Sequence, residues 1–154
     1  MQISAITEYL TISSKVTKGN VNAALELDSR LVISMIFQRK PPEALAQPPR
    51  SVLWLRTFDF PLIPIPMRTL ERGVRAALPV IEDGHRVHVF CEGGRRRSVA
   101  MASCILIGMG YSAADAMQQV KEKHEIADPY IWYIQRRIRK FEQYWRESNY
   151  GRIT

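Results

Sequence analysis

Apolar and polar positions alternate along this chain in two rhythms, one of strand length and one of helical period. Ile3 to Ile6 and Tyr9 to Ile12 are short runs rich in β-branched and aromatic residues, which predicts strands at a sheet edge. Ser13 to Gly19 is a polar connection, and Asn20 can cap a short helix with Val21, Ala24 and Leu25 as its apolar stripe. Leu31 to Phe37 is a continuous apolar run of strand length, so a buried strand is expected there. Pro41-Pro42 and Pro48-Pro49 bracket a short helical or irregular segment, and Ser51 to Leu55 reads as the next strand.

Three prolines, Pro61, Pro64 and Pro66, make Phe58 to Met67 a constrained, extended loop with Asp59 at its front. Leu70, Val74, Ala77, Leu78 and Ile81 then recur at helical spacing up to Gly84, and Arg86 to Phe90 is a further strand. Val99 to Met109 is apolar nearly all round, the mark of a buried helix. Ser112 with Asp115 forms a capping-box start for the next helix, whose inward residues are Ala116, Met117 and Val120. Asp128-Pro129 reads as the N-cap and first-turn proline of a last helix, with Ile131, Ile134, Ile138, Phe141 and Trp145 as its stripe. Only the last few residues are expected to fray. Strands alternating with helices argue for an α/β sheet with helices on its faces.

Composition narrows the picture modestly. At 154 residues the chain makes one domain with a sizeable core. No apolar run reaches the length of a membrane span, and Met1-Gln2-Ile3-Ser4 lacks the basic and apolar regions of a secretory signal. Two cysteines, Cys91 and Cys104, without such a signal point to reduced thiols in a cytoplasm. A net charge of +7 favours anionic partners, phosphorylated substrates among them. No nucleic-acid motif is present, so nucleic acid is not an expected partner.

The chemistry concentrates where the strand Arg86 to Phe90 meets the helix at Val99. The link is Cys91-Glu92-Gly93-Gly94-Arg95-Arg96-Arg97-Ser98, with a cysteine opening the loop and an arginine closing it six positions later. A tight loop of this kind wraps backbone N–H groups around a centre toward which a helix N-terminus also points, and an oxyanion fits that centre. The same dipoles and guanidinium groups favour a thiolate, the form of cysteine that attacks phosphorus. Arg97 can fork onto two phosphate oxygens. A carboxylic acid must deliver a proton to the leaving oxygen, and Asp59, at the front of the proline-rich loop, is the candidate. Asp83 is a rival in position only. Arg95 and Arg96 add positive charge; both are expected to point toward the rim, where they either stay solvated or favour multiply phosphorylated substrates.

These residues resemble the signature loop of the cysteine-dependent protein tyrosine phosphatases. The wider chain is similar to their dual-specificity branch, through Leu55 to Asp59, Gly110 to Ala116, Ala127-Asp128-Pro129 and Gln135. The resemblance implies a single-domain protein tyrosine phosphatase-like α/β fold over residues 1–154, with a core of about residues 3–147. Its central mixed sheet would be flanked by helices, with a strand–phosphate loop–helix active site. It implies phosphomonoester hydrolysis through a phospho-cysteine on Cys91, with Arg97, Asp59 and Ser98 as the other catalytic residues. Ser98 would donate its hydroxyl to the departing thiolate. Glu92, Gly93, Gly94, Arg95, Arg96 and Arg97 would make up the phosphate-binding loop, with no metal and no cofactor. The expected partner is a phosphorylated protein bearing phosphotyrosine, with phosphoserine or phosphothreonine as further candidates, or a polyanionic phosphate. A monomer is expected. The alternatives are a same-fold phosphatase acting on inositol phosphates, phosphoinositides or RNA 5′-phosphates, and a phosphate-binding module with little turnover.

Two positions depart from that pattern. The residue before the cysteine is usually a histidine that helps hold the loop and tune the thiolate, and here it is Phe90. His88, two residues earlier on the same strand face, is the nearest imidazole and is expected to be structural. Tyr130 stands after Pro129, where the branch often has asparagine. Cys104 lies about 10 Å of helical rise from the loop, beyond the roughly 7 Å that a disulfide spans, and is read as core. A zinc site built from Cys91, Cys104, His85 and His88 lacks paired ligand spacing.

Overall fold

In the computed structural model, which describes residues 1–153 with side chains through Ser148, the predicted rhythms become a five-stranded sheet with helices on both faces. The fraying expected of the last few residues lies outside those described side chains. In chain order the elements are β1 (Ile3–Thr7), β2 (Leu10–Ser13), α1 (Val21–Leu25), β3 (Ser29–Ile36), β4 (Ser51–Thr57), α2 (Met67–Glu82), β5 (Arg86–Phe90), α3 (Arg97–Gly108), α4 (Ala113–Lys123) and α5 (Trp132–Ile153). A single 3-10 turn, Glu43–Ala46, sits between the two proline pairs.

The sheet order is β1-β2-β5-β3-β4, antiparallel between β1 and β2 and parallel elsewhere. The parallel register aligns Ser13 and Ser34 with Phe90, and Ile36 with Thr57. The carboxyl ends of β2, β5, β3 and β4 therefore meet on one edge, where open α/β sheets place their ligands. The thiol follows directly from β5, the middle strand.

Strand alternation divides β5 between two cores. Val87 and Val89 join the main core with Cys91, α2, α3, α4 and α5. Phe90 faces the other way, into a smaller core with Val16, Ala24, Val32, Ile36 and Leu45. The residue that stands where a histidine was expected thus fills an apolar pocket, which an imidazole would fill poorly. Within the main core, α3 packs against α2, α4 and α5. Its side chains from Arg97 to Ile107 are all buried, as the all-round apolar pattern required.

Two expected helix caps differ. Asn20 precedes α1 without capping it; its amide oxygen accepts from the Thr17 N–H and its nitrogen donates to the Lys15 carbonyl. The last helix begins at Trp132 rather than at Asp128-Pro129. The Asp128 N–H instead donates to the Arg95 carbonyl, at 2.8 Å. Ser112 does cap α4, accepting from the Asp115 N–H at 3.0 Å.

Candidate active site

The loop after β5 is held open from outside by its carbonyls. The Lys15 N–H donates to the Glu92 carbonyl (3.2 Å), His124 Nε2–H to the Gly94 carbonyl (2.8 Å) and the Asp128 N–H to the Arg95 carbonyl (2.8 Å). In a planar trans peptide the next N–H points opposite to the carbonyl. The amides of Gly93, Arg95 and Arg96 consequently face inward, around the thiol. The Gly94 N–H itself reaches Cys91 Sγ at 3.2 Å, and Ser98 Oγ lies 3.2 Å from the same sulfur.

Gly94 is a required glycine. Its φ of +67° is left-handed, and a Cβ there would stand 2.8 Å from the Ser14 nitrogen and 3.0 Å from the Ser13 carbonyl carbon. The loop rests directly on the end of β2.

Arg97 is buried, and its Nη1 donates to the carbonyls of Met35 (3.0 Å) and Thr57 (2.7 Å) at the ends of β3 and β4. A register shift between β3 and β4 at Ser34–Ile36 interrupts the ladder there. The Met35 carbonyl is thereby available to Arg97 and to the Thr57 hydroxyl, at 2.7 Å. With one nitrogen tied to backbone on two strands, the guanidinium sits at the floor of the cleft in a single orientation.

Asp59 follows β4 by two residues and lines the same cleft, a hollow of about 340 Å³ shared with Cys91, Glu92, Gly93, Arg95, Arg96 and Arg97. Tyr133 Oη donates to Asp59 Oδ1 at 2.5 Å, and Arg96 Nη1 lies 3.6 Å from Asp59 Oδ2. A larger hollow of about 650 Å³, between α1 and the Pro41–Ala44 segment, lies away from the thiol. A thiol ringed by inward amides, a fixed guanidinium and a carboxyl group across the cleft can receive a tetrahedral oxyanion and a leaving group at once. Among the described residues no cluster of His, Cys, Asp and Glu is arranged to hold a metal ion.

No family model and no curated protein sequence matches the chain. Solved structures do. A mouse protein described as a dual specificity phosphatase and solved with zinc tungstate is 24% identical, covering 96% of this chain and 90% of its own, with a TM-score of 0.82. Human DUSP28 is 23% identical over 94% of this chain and 95% of its own, with a TM-score of 0.80. PTPMT1, which has also been solved in complex with PI(5)P, is 19% identical over 97% of this chain and 99% of its own, with a TM-score of 0.84. The fold is that of the dual-specificity phosphatases.

Within that dual-specificity phosphatase fold, the chain supplies its own imidazoles. His88 is fully buried, and its Nε2 lies 2.9 Å from Ser13 Oγ while its Nδ1 lies 2.8 Å from Thr11 Oγ1. Ser13 donates its own proton to the Ser14 carbonyl (2.7 Å), so Nε2–H donates to Ser13 and Thr11 donates to Nδ1. Burial pushes the His88 pKa down to about 3, which keeps the ring neutral. It does not touch the loop; it braces the strand end on which Gly94 rests.

The imidazole that does touch the loop is His124, which was not foreseen. It is fully buried, donates to the Gly94 carbonyl from Nε2, and accepts from Ser4 Oγ at Nδ1, at 2.6 Å. Burial lowers its pKa, helped by the nearby Lys121 charge, and the Gly94 carbonyl opposes the shift only in part. In sequence His124 shows only as a residue at the end of α4.

Tyr133 and Asp128 were also missed as site residues. Arg96 contacts both, donating to Tyr133 Oη at 3.2 Å and placing Nε 3.6 Å from Asp128 Oδ2. The expectation that Arg95 and Arg96 both point freely to the rim is therefore corrected. Arg96 is drawn across the cleft by two carboxylates and a phenol, whereas Arg95 is exposed. Burial and the bond to Asp59 raise the Tyr133 phenol, with Arg96 opposing. Glu92 turns its carboxylate outward to Arg39 and Lys15. Burial alone would raise its pKa, but the Arg39 hydrogen bond and charge, then Lys15, hold it below the usual carboxylate range. Cys104 lies in the core, where burial pushes its thiol well up.

Proposed function

We propose that the protein is a phosphomonoester hydrolase that works through a phospho-cysteine intermediate without a metal. The observation that carries this reading is the convergence on Cys91 Sγ of the Gly94 amide and the Ser98 hydroxyl, each at 3.2 Å, with Asp59 in the same cleft. The Cys91 thiolate attacks phosphorus and the ester oxygen leaves, taking its proton from Asp59. The inward amides and Arg97 hold the three equatorial oxygens as charge moves through the transition state. Ionised Asp59 then draws a proton from water, which attacks the phospho-cysteine, and Ser98 donates to the departing sulfur. Phosphate and the thiolate are regenerated together.

The chain carries no long insertion that would build a deep specificity pocket, which supports phosphotyrosine in proteins as substrate, with phosphoserine and phosphothreonine also admitted. One feature favours a second reading, hydrolysis of inositol phosphates or phosphoinositides: Arg95 is exposed beside the cleft and has room for a further phosphate. PTPMT1, of the same fold, is known in complex with PI(5)P. The test is aryl phosphate turnover in the presence of a chelator, with Cys91→Ser as the comparison. Cys91→Ser should abolish turnover and still bind tungstate, because an alcohol stays protonated where a thiol ionises. Turnover that survives in Cys91→Ser, or disappears with the chelator, overturns the mechanism. A phosphopeptide-against-inositide panel separates the two substrate classes.

A further inference from the structure

Eight large apolar side chains are exposed among the described residues, and six of them fall on the two segments that carry Asp59 and Tyr133. Phe58, Phe60, Leu62 and Ile63 lie on the proline-rich segment that carries Asp59, and Tyr130 and Trp132 lie where α5 begins. The Tyr133–Asp59 hydrogen bond joins these two segments, and Arg137 Nη1 ties α5 to the Ile65 carbonyl at 3.2 Å. A chance scatter of surface hydrophobics needs no explanation, but six gathered on two joined segments do.

The shape is a protrusion. The Ile63 N–H donates to the Phe60 carbonyl at 3.1 Å, closing a tight turn with Pro61 and Leu62 at its tip, and Leu62 is 80% exposed. Trp132 is 59% exposed, with the Arg136 guanidinium 6.0 Å from its ring centre. Across residues 54–68 and 128–139 five arginines stand against two aspartates, and Arg96 lies beside both aspartates. Arg56, Arg68 and Arg136 are exposed, as is Arg95 on the loop. Apolar tips, an amphipathic tryptophan and tyrosine, and unopposed arginines are the composition that settles at the headgroup level of a bilayer. Among the described residues no helix is long and apolar enough to cross a membrane, so the contact would be peripheral.

We infer that the rim formed by the Phe58–Ile63 turn and the start of α5 docks on an anionic lipid surface, with the catalytic cleft facing the headgroups. A convex, cationic, apolar rim matches a surface that is negative outside and apolar beneath. A protein partner for the same rim would have to offer an apolar groove edged with acids. The inference does not depend on turnover, because binding to lipid is read directly.

The experiment is co-sedimentation of the full chain with phosphatidylcholine vesicles, with and without phosphatidylserine. The protein should sediment with the anionic vesicles, and added salt should weaken that binding. Leu62→Glu with Trp132→Glu should reduce partitioning at least about tenfold, the effect of withdrawing one large apolar side chain from the interface. Arg68→Glu with Arg136→Glu should weaken the preference for phosphatidylserine, and an unchanged preference would overturn the assignment of these arginines to the lipid contact. Far-ultraviolet circular dichroism, melting temperature and aryl phosphate turnover of these variants should match the parent, since none of the four residues lines the cleft. Failure of the parent to bind anionic vesicles, or equal binding by the Leu62/Trp132 variant, overturns the inference. Self-association of the parent that the Leu62/Trp132 variant abolishes would assign the rim to a second copy of the chain, and would overturn it as well. Absence of aryl phosphate turnover in the parent, with its lipid binding intact, would sink the proposed chemistry alone.

Discussion

His124 offers the sharpest test of how the loop after β5 keeps its shape, because its two ring nitrogens do separate jobs. Nε2–H donates to the Gly94 carbonyl at 2.8 Å, and Nδ1 accepts from Ser4 at 2.6 Å. An Asn amide nitrogen reaches about as far as Nδ1, and a Gln amide nitrogen about as far as Nε2. His124→Asn should leave the Gly94 carbonyl, which is buried, without its donor, while His124→Gln should retain that bond and lose only the Ser4 contact. A buried acceptor without a partner costs about 1–3 kcal/mol. If the loop relaxes to recover that cost, an oxyanion must restore its shape on binding, and affinity falls by about 5-fold to about 150-fold. The assay is calorimetric titration with tungstate, alongside competition against aryl phosphate hydrolysis. His124→Asn should weaken tungstate about tenfold and His124→Gln less than about threefold, although both variants lose melting temperature. Tungstate binding by His124→Asn at the parent affinity, or equal losses in both variants, would refute the assignment of loop support to Nε2.

Asp59→Asn should lower kcat about 10²–10⁴-fold, and more for an alkyl phosphate than for nitrophenyl phosphate, whose leaving group needs less help from a proton; rates unchanged from the parent on both substrates would exclude Asp59 as the acid. Arg96→Ala should reduce kcat/KM on an aryl phosphate roughly tenfold by freeing Asp59 and Tyr133, whereas Arg95→Ala should change it by less than about twofold, as for a solvated charge. Steady-state kinetics of the two variants would show equal losses if the two arginines were equivalent. For His88 the folded pKa is lowered from 6.5 to about 3, so its contribution to stability is intact above pH 6.5 and is lost as pH falls below that value. Only the unfolded chain takes up the proton there, and the loss by pH 5 should be about 2 kcal/mol. Urea unfolding at pH 7 and pH 5 should show a smaller difference in His88→Gln than in the parent, and an unchanged difference would contradict a neutral buried ring.

What could be read in advance was what lies close together in the chain. Strand, cysteine loop and buried helix are consecutive, and Asp59 follows a strand end, so periodicity and turn chemistry suffice to bring them to one sheet edge. The support of the loop and of Asp59 was not legible, because the partners are remote: His124 lies 30 residues from Gly94, and Tyr133 lies 74 residues from Asp59. Asp128-Pro129 misled too: it has the local chemistry of a helix start, yet the helix begins at Trp132 and the Asp128 amide meets the Arg95 carbonyl, 33 residues back. Three adjacent arginines look alike in sequence. Only the strand register, which opens the Met35 carbonyl to Arg97, and the carboxylates beside Arg96 separate them. Phe90 suggested a weakened loop, whereas the structure uses that position for packing and draws the imidazole from α4.

The bond from Ser4 to His124 spans 120 positions of the chain, and it passes through the ring that holds Gly94. During synthesis from the N-terminus, Cys91 emerges well before His124, Asp128 and Tyr133. All five strands can pair while the thiol still stands in an unshaped loop. Chemical competence should therefore be a late event in folding, arriving only when α4 and the start of α5 dock. Conversely, local opening of those two helices would disarm the thiol while leaving the sheet intact.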